Sequence, residues 1–428
     1  MFKIDVIDEQ GQKAGLKEIQ RLLYAAGAQS LKSEIRQNVG VLTGTNRDVW
    51  AKNYKILESL SVQNKKNLAT IASALFTVHL EDHSTISNPN YSHVQFLHNE
   101  NGRDRWFDKT IQLIVASSGR AGINAEVSNV DASVHAKVAE YLTNSEPVQF
   151  TNQAEMFPEP EILEWIINEE IKEQIKSAHQ TVTQLAKTTE SVVMHYDILG
   201  ERYIKEIARS DVNAFIQLAL QVTWQRLHTQ PANSSLTILT ANGKFATNSI
   251  ISEIVWDFAE TFDNDDILYD EKRAKYHAAV TSIKQATSAI SESSFSPIDQ
   301  YQAHLQAFYR IANEEEKEKL TATFGTAPIA KNGLETANIQ VSPGSSNNFF
   351  AGFSQSWAQG YGIAYAVGTD DIKVSVCCKK GFGVKGANAF KFVDELKRTF
   401  ADIMILFPKS CCLLDLKFGV MIGKKSLL

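Results

Sequence analysis

Residues 105–131 constrain the fold more than any other stretch of the chain. Arg105-Trp106-Phe107-Asp108-Lys109 sets two large aromatic residues among three charges. Residues 110–116 (Thr-Ile-Gln-Leu-Ile-Val-Ala) follow at once and read as a buried strand. Ser117-Ser118-Gly119-Arg120 turns that strand, and residues 121–126 begin the second strand of a hairpin.

The remaining texture is mostly helical. Residues 2–7 alternate apolar and polar as a short strand, closed by a turn at Gln10-Gly11-Gln12. Leu16, Ile19, Leu22 and Leu23 then fall on one helical face. Residues 48–80 read as two helices separated near Ser61–Asn64. Residues 82–103, rich in Asn, Ser, His and Gly, read as a long loop. Pro158 and Pro160 mark a boundary. Leu163, Ile167, Ile171, Ile175, Ala178, Val182 and Leu185 then recur near a 3.6 period, as in a long amphipathic helix. Phe215, Ile216, Ala219, Leu220 and Leu227 mark another helix, and helical patterns continue through 246–262, 271–290 and 298–323. Glu314-Glu315-Glu316-Lys317-Glu318-Lys319 reads as a solvated helix face. From residue 338 the pattern changes. Residues 339–341 are strand-like, Ser342-Pro343-Gly344-Ser345-Ser346 is a loop, 360–365 and 372–378 form a hairpin, and 387–406 a closing helix. Helical runs with segregated strands predict an α/β fold of mixed sheets flanked by helices.

Composition excludes several classes. A 428-residue chain with 43% hydrophobic and 21% charged residues has the make-up of a globular protein of two or three domains. Its net charge of −6 argues against a general nucleic-acid binder. No apolar run is long enough to predict a membrane span. The cysteines come as adjacent pairs, Cys377-Cys378 and Cys411-Cys412, and match neither a disulfide framework nor a CxxC zinc site. A reducing, intracellular compartment, cytoplasmic or an organelle matrix, is the expectation. His79, His83, His93 and His98 are irregularly spaced and read as structural, with no metal site expected. Asp263-Asn264-Asp265-Asp266 reads as a surface loop, and Gly381-Phe382-Gly383-Val384-Lys385-Gly386 as a flexible connection.

Five segments in order carry a family resemblance. They are Leu42-Thr43-Gly44-Thr45-Asn46-Arg47-Asp48-Val49-Trp50-Ala51; Arg105–Lys109; Gly122–Asp131; Ala214-Phe215-Ile216-Gln217-Leu218-Ala219-Leu220-Gln221 with Arg226-Leu227-His228; and Gly352-Phe353 with Gly360-Tyr361-Gly362-Ile363-Ala364-Tyr365. Together they resemble the carnitine/choline acyltransferase family over residues 2–407. The resemblance implies two similar α/β domains with a tunnel between them, entered by coenzyme A from one mouth and the acceptor alcohol from the other. Residues 1–165 would be a partial N-terminal domain, 166–408 the C-terminal domain, and 409–428 a tail without a family counterpart. Family chains begin well before the point aligned with Met1. The expectation is therefore an incomplete first domain, whose apolar faces are exposed, altered or covered by a partner protein.

The chemistry implied by the resemblance is eroded. Acyl transfer from a thioester needs a general base, oxyanion donors and two aligned substrates. The family base is the His of a Glu-His-Ser-x-x-Asp-Gly motif, and Val127 stands at that position. Asp131 occupies the position of the carboxylate that would orient the imidazole. No catalytic residue is therefore assigned, and His135 reads as a structural histidine. The acceptor segments are altered too. Thr237 stands at a Tyr position, Gly243 at an Arg position, Asn248-Ser249-Ile250 at a Gly-Arg-Thr, and Asp299-Gln300-Tyr301-Gln302 at an Asp-Arg-His-Leu. Gln300 supplies neither the charge nor the fork that a carboxylate takes from arginine. The oxyanion turn is echoed only around Ser342, where Pro343 removes a backbone donor. On the coenzyme A side Lys205 matches a family lysine, with Arg202 and Arg209 as supplementary cations. No tightly bound cofactor is expected, and coenzyme A or acyl-CoA is the ligand implied. The reading is a family member without transfer activity, with a structural or acyl-CoA-binding role. The alternatives are an active O-acyltransferase with a different acceptor, or a product that does not fold stably alone.

Overall fold

The computed structural model describes residues 1–32, 37–81, 88–126, 128, 130, 132–145, 157–229, 232, 234–239, 245–249, 252–292, 313–324, 339–343, 350–354, 360–380 and 388–408. The chain divides into two compact units, Met1–Lys187 and Thr188–Leu428. Mixed sheets flanked by helices make the fold α/β.

In the first unit β1 (Phe2–Lys3) is followed by α1 (Leu16–Lys32), which buries Leu22 and Ala26. A 3-10 turn, Val39–Gly44, leads into α2 (Arg47–Leu60), whose N-terminus is capped by the Asn46 side chain accepting from the Asp48 N–H at 2.9 Å. Ser61 ends α2 and caps α3 (Val62–Ser73), accepting from the Asn64 N–H at 3.0 Å. Next come β2 (Thr77–Glu81), α4 (Pro89–Gly102), β3 (Ile111–Ala116), β4 (Ala121–Ala125), α5 (Ala132–Asn144), β5 (Glu161–Ile162) and α6 (Glu169–Thr188). β2 pairs parallel with β3, and β3 antiparallel with β4; β5 returns to pair with β1. α4 covers one face of the sheet. Its Phe96 ring lies where a Cβ on Gly122 would stand, 2.7 Å away, so β4 needs glycine there.

The second unit is built on β6 (Thr189–Tyr196), α7 (Val212–His228), β7 (Ser234–Leu239), β8 (Phe245–Ser249), α8 (Glu253–Thr261), α9 (Tyr269–Glu292), α10 (Glu314–Phe324), β9 (Ile339–Pro343), β10 (Tyr361–Val367), β11 (Ile372–Lys379) and α11 (Ala389–Leu406). The sheet order is β6-β11-β10-β9-β7-β8. β9 pairs parallel with both β10 and β7, and the other pairings are antiparallel. Residues 214–224 of α7 are buried all round, as expected of a helix enclosed by other layers.

The sheet hairpins, α1, α2, α3, α7, α9 and the closing helix follow the sequence reading. Five segments differ. Residues 77–81, read as helix, form β2, because Thr-Val-His-Leu-Glu alternates with a period of two. Residues 89–102, read as loop, form α4. Asn88 caps it, Pro89 opens it, and Gln95, His98 and Asn99 are buried, so tertiary burial outweighs their weak helix propensity. The helix expected from Leu163 starts at Glu169, and Leu163 is buried ahead of it. Residues 245–249, within a segment read as helix, form β8. Ser342 and Pro343, read as loop, close β9 opposite Ala364 and Tyr365. Residues 298–312, 409–428 and the glycine-rich 381–387 lie outside the described residues.

Candidate functional site

Arg105–Lys109 is a structural hub in which each residue holds a different element. Arg105 is fully buried and ion-paired with Glu81 at the end of β2. Trp106 stacks on Trp165, with centroids 6.0 Å apart, and meets Trp50 edge-on at 5.7 Å. The Phe107 N–H donates to Thr43 Oγ1 at 2.8 Å, and Thr43 Oγ1 donates to the Gly40 carbonyl at 2.6 Å. Asp108 accepts from Trp50 Nε1 at 3.0 Å and from Arg47. Lys109 Nζ donates to the carbonyls of Ile71 and Ala72, at 2.8 and 3.2 Å, at the C-terminal end of α3. Burial lowers the Lys109 pKa. Residues 42–51 and 105–109 are thus locked to one another through Thr43, Arg47 and Trp50.

The same network reaches the end of β4. Arg47 Nη2 donates to Glu126 Oε1 at 2.9 Å, and that oxygen also accepts from the Ser128 N–H at 3.0 Å. The chain flanking residue 127 is therefore tied to α2 and to Asp108. Val127 and Asp131 themselves lie outside the described residues, as do Gly243, Ile250 and Asp299–Gln302. His135, on α5, is buried, and both its ring nitrogens lack a hydrogen-bond partner among the described residues.

His79 sits on β2 beside Arg105, with Nε2 3.0 Å from Thr77 Oγ1. Burial, followed by the Arg105 charge, pushes its pKa down to about 4. The folded chain therefore binds fewer protons here than the unfolded chain between about pH 6.5 and 4. The stability this group contributes is present above pH 6.5 and is lost as the pH falls to 4, by up to about 3 kcal/mol. His79→Gln is expected to flatten that part of the stability–pH curve, measured by thermal melts across the window. An unchanged slope would contradict this placement.

The cations of the second unit share one short segment. Arg202 donates to Asp370 at 2.8 Å, and Lys205, in the π-helical turn Tyr203–Ile207, pairs with Glu201; both pairs are exposed. Glu201 raises the Lys205 pKa, so the ammonium stays charged. Arg209 is exposed with a left-handed backbone (φ 51°). Ser342 is placed by its backbone on β9, parallel to Ala364. The Gly352-Phe353 and Gly360–Tyr365 segments meet directly: a Cβ on Gly362 would stand 2.9 Å from the Phe353 ring. Tyr365 Oη donates to Asn213 at the start of α7.

Sequence reasoning did not find two centres. One is the buried Arg105–Glu81 pair. The other is Arg226, which donates to Asp263 at 2.8 Å, Asp402 at 2.7 Å, Thr399 at 3.2 Å and Glu395 at 3.3 Å. The acidic partners of Arg226 lie far from it in sequence, so no local signal marks them. Cys377 and Cys378 are buried thiols outside any disulfide, raised by burial to about 11 and about 12. Among the described residues no group of three or more His, Cys, Asp or Glu is disposed to hold a metal ion, and no helix is long and apolar enough to cross a membrane.

The sequence profile of the choline/carnitine O-acyltransferases matches residues 1–398. The chain belongs to this family. It is 30% identical over 244 residues to carnitine O-acetyltransferase of Homo sapiens, covering 54% of this chain and 38% of that protein. It is 29% identical over 201 residues to choline O-acetyltransferase of Sus scrofa (44% and 31% covered). It is 30% identical over 257 residues to peroxisomal carnitine O-octanoyltransferase of Bos taurus (58% and 42%). The matched part spans less than half the length of these family members.

Proposed function

We propose that this chain is a choline/carnitine acyltransferase-family protein that keeps the scaffold without the transfer step, in a structural or acyl-CoA-binding role. The observation that carries the reading is Val127, which stands where the family motif has its base. A valine takes no proton from an attacking hydroxyl, and losing a positioned base costs on the order of 10²–10⁴ in rate. The hub that holds the chain up to Glu126, from Arg47 to Asp108, is complete, which supports a kept scaffold whose loss is one of chemistry. Gln300, at the family's acceptor-binding Arg position, carries no charge for a carnitine carboxylate, and Thr237 and Ile250 stand at its Tyr and Thr positions.

Lys205, Arg202 and Arg209 are the residues proposed to meet coenzyme A phosphates. The ion pairs of Lys205 and Arg202 are exposed and therefore weak, so a phosphate displaces their partners at little cost. Calorimetric titration with acetyl-, octanoyl- and palmitoyl-CoA tests this. Binding is expected to weaken several-fold in Lys205→Ala and Arg202→Ala, and to weaken with added salt. A folded chain that binds none of them takes the structural role alone. Val127→His is expected not to restore transfer, because the acceptor positions have changed as well. Recovered transfer in that variant would show an otherwise complete site.

A further inference from the structure

The turn between β10 and β11 is fastened to the chain ahead of the π-helical turn, and it delivers a carboxylate to a cation there. Residues 368–371 are closed by the Gly368 N–H, which donates to the Asp371 carbonyl at 2.8 Å. The Gly368 carbonyl accepts from the Glu201 N–H at 2.8 Å, and the Thr369 carbonyl from the Arg202 N–H at 3.0 Å. A Cβ on Gly200 would stand 2.6 Å from the Asp370 backbone, so the turn seats this closely only against glycine. Two side-chain pairs complete the fastening. His195 Nε2 lies 2.7 Å from Asp371 Oδ2, and Arg202 Nη2 donates to Asp370 Oδ2 at 2.8 Å. Glu201 reaches Lys205 merely as its i,i+4 neighbour. Asp370 is brought to Arg202 from 168 residues away, on a backbone already held in place.

We propose, resting on Arg202 and Lys205 as phosphate-binding cations, that Asp370 is a built-in competitor for the anion Arg202 takes, so that the β10–β11 turn sets how tightly acyl-CoA phosphates bind. A carboxylate and a phosphate ask the same of a guanidinium, positive charge and N–H donors. They exclude each other at the donor that Asp370 holds. Arg202 and Asp370 are 57% and 64% exposed, so a ligand reaches the pair from solvent and Asp370 leaves without opening a buried contact. The main-chain bonds of the turn keep its carboxylate close, at a high effective concentration. A ligand carboxylate gains nothing by taking its place, whereas a phosphate monoester, with a charge of about −2, does. The turn therefore screens out carboxylate anions as well as lowering affinity for phosphates.

The test is calorimetric titration of the full chain and its variants with acetyl-CoA and with inorganic pyrophosphate at low salt. Asp370→Asn is expected to bind both about two- to fivefold more tightly, the size of one competing exposed ion pair. The double change Asp370→Asn with Arg202→Ala should lose that gain. Asp371→Asn removes a charge one residue away that pairs with His195 and not with Arg202, so its affinity should stay at the parent's. Unchanged or weaker binding in Asp370→Asn, with Arg202→Ala still weakening the parent, overturns the competitor and leaves the phosphate cations in place. An equal gain in Asp371→Asn overturns it too, by reducing the effect to general charge. If Arg202→Ala changes nothing, or no variant binds either probe, the reading of the cations falls and the proposal falls with it.

Discussion

Arg105→Met is expected to cost the first unit on the order of 3–5 kcal/mol, because it leaves Glu81 as an uncompensated buried carboxylate. Arg105 has no exposed surface, and Glu81 has little. Burial lowers the Arg105 pKa and Glu81 opposes that shift, so the buried guanidinium, which stays charged, relies on this carboxylate to offset its desolvation. Differential scanning calorimetry of the full chain should show the transition of this unit falling by about 10 °C. The double change Arg105→Met with Glu81→Leu should recover most of the loss, since an apolar pair of similar volume often replaces a buried ion pair without penalty. A neutral single variant would mean that the pair is not enclosed.

Trp224→Ala is expected to cost the second unit about 3–5 kcal/mol, the usual range for a large aromatic deleted from a core. Trp224 is fully buried on α7, with its ring 4.0 Å from that of His228 and 6.0 Å from that of Tyr361. Few neighbours can collapse into the space it would leave, because α7 is enclosed on every side. Urea unfolding followed by intrinsic fluorescence should report the loss as a lower midpoint with an unchanged slope. A cost under 1 kcal/mol would show that this helix is not the centre of the unit.

The sequence carried the family and most elements because its anchors are contact residues. Trp106 meets Trp50 edge-on in the first unit, and Phe353 packs on Gly362 in the second, so each contact joins two of those segments. Strands with strict alternation and enclosed helices such as α7 were legible for the same reason: one burial pattern fits them. α4 was not legible, because its Asn, Ser and His residues look like loop and are made helical by burial from outside the segment. The roles of Arg105 and Lys109 were equally hidden. Charge in a sequence reads as surface, and only the fold brings Glu81 to one and the carbonyls of α3 to the other. The reading of Val127 as the base position rests on the sequence alone, since residue 127 lies outside the described residues.

The most direct test of the account is acceptor-dependent thiol release. The purified full chain, at high concentration, is incubated with acetyl-, octanoyl- or palmitoyl-CoA and with carnitine or choline, beside human carnitine O-acetyltransferase as control. The account predicts release no faster than the blank without acceptor. Saturable release that needs the acceptor and disappears in His135→Gln would contradict it, and would assign the base to that buried histidine.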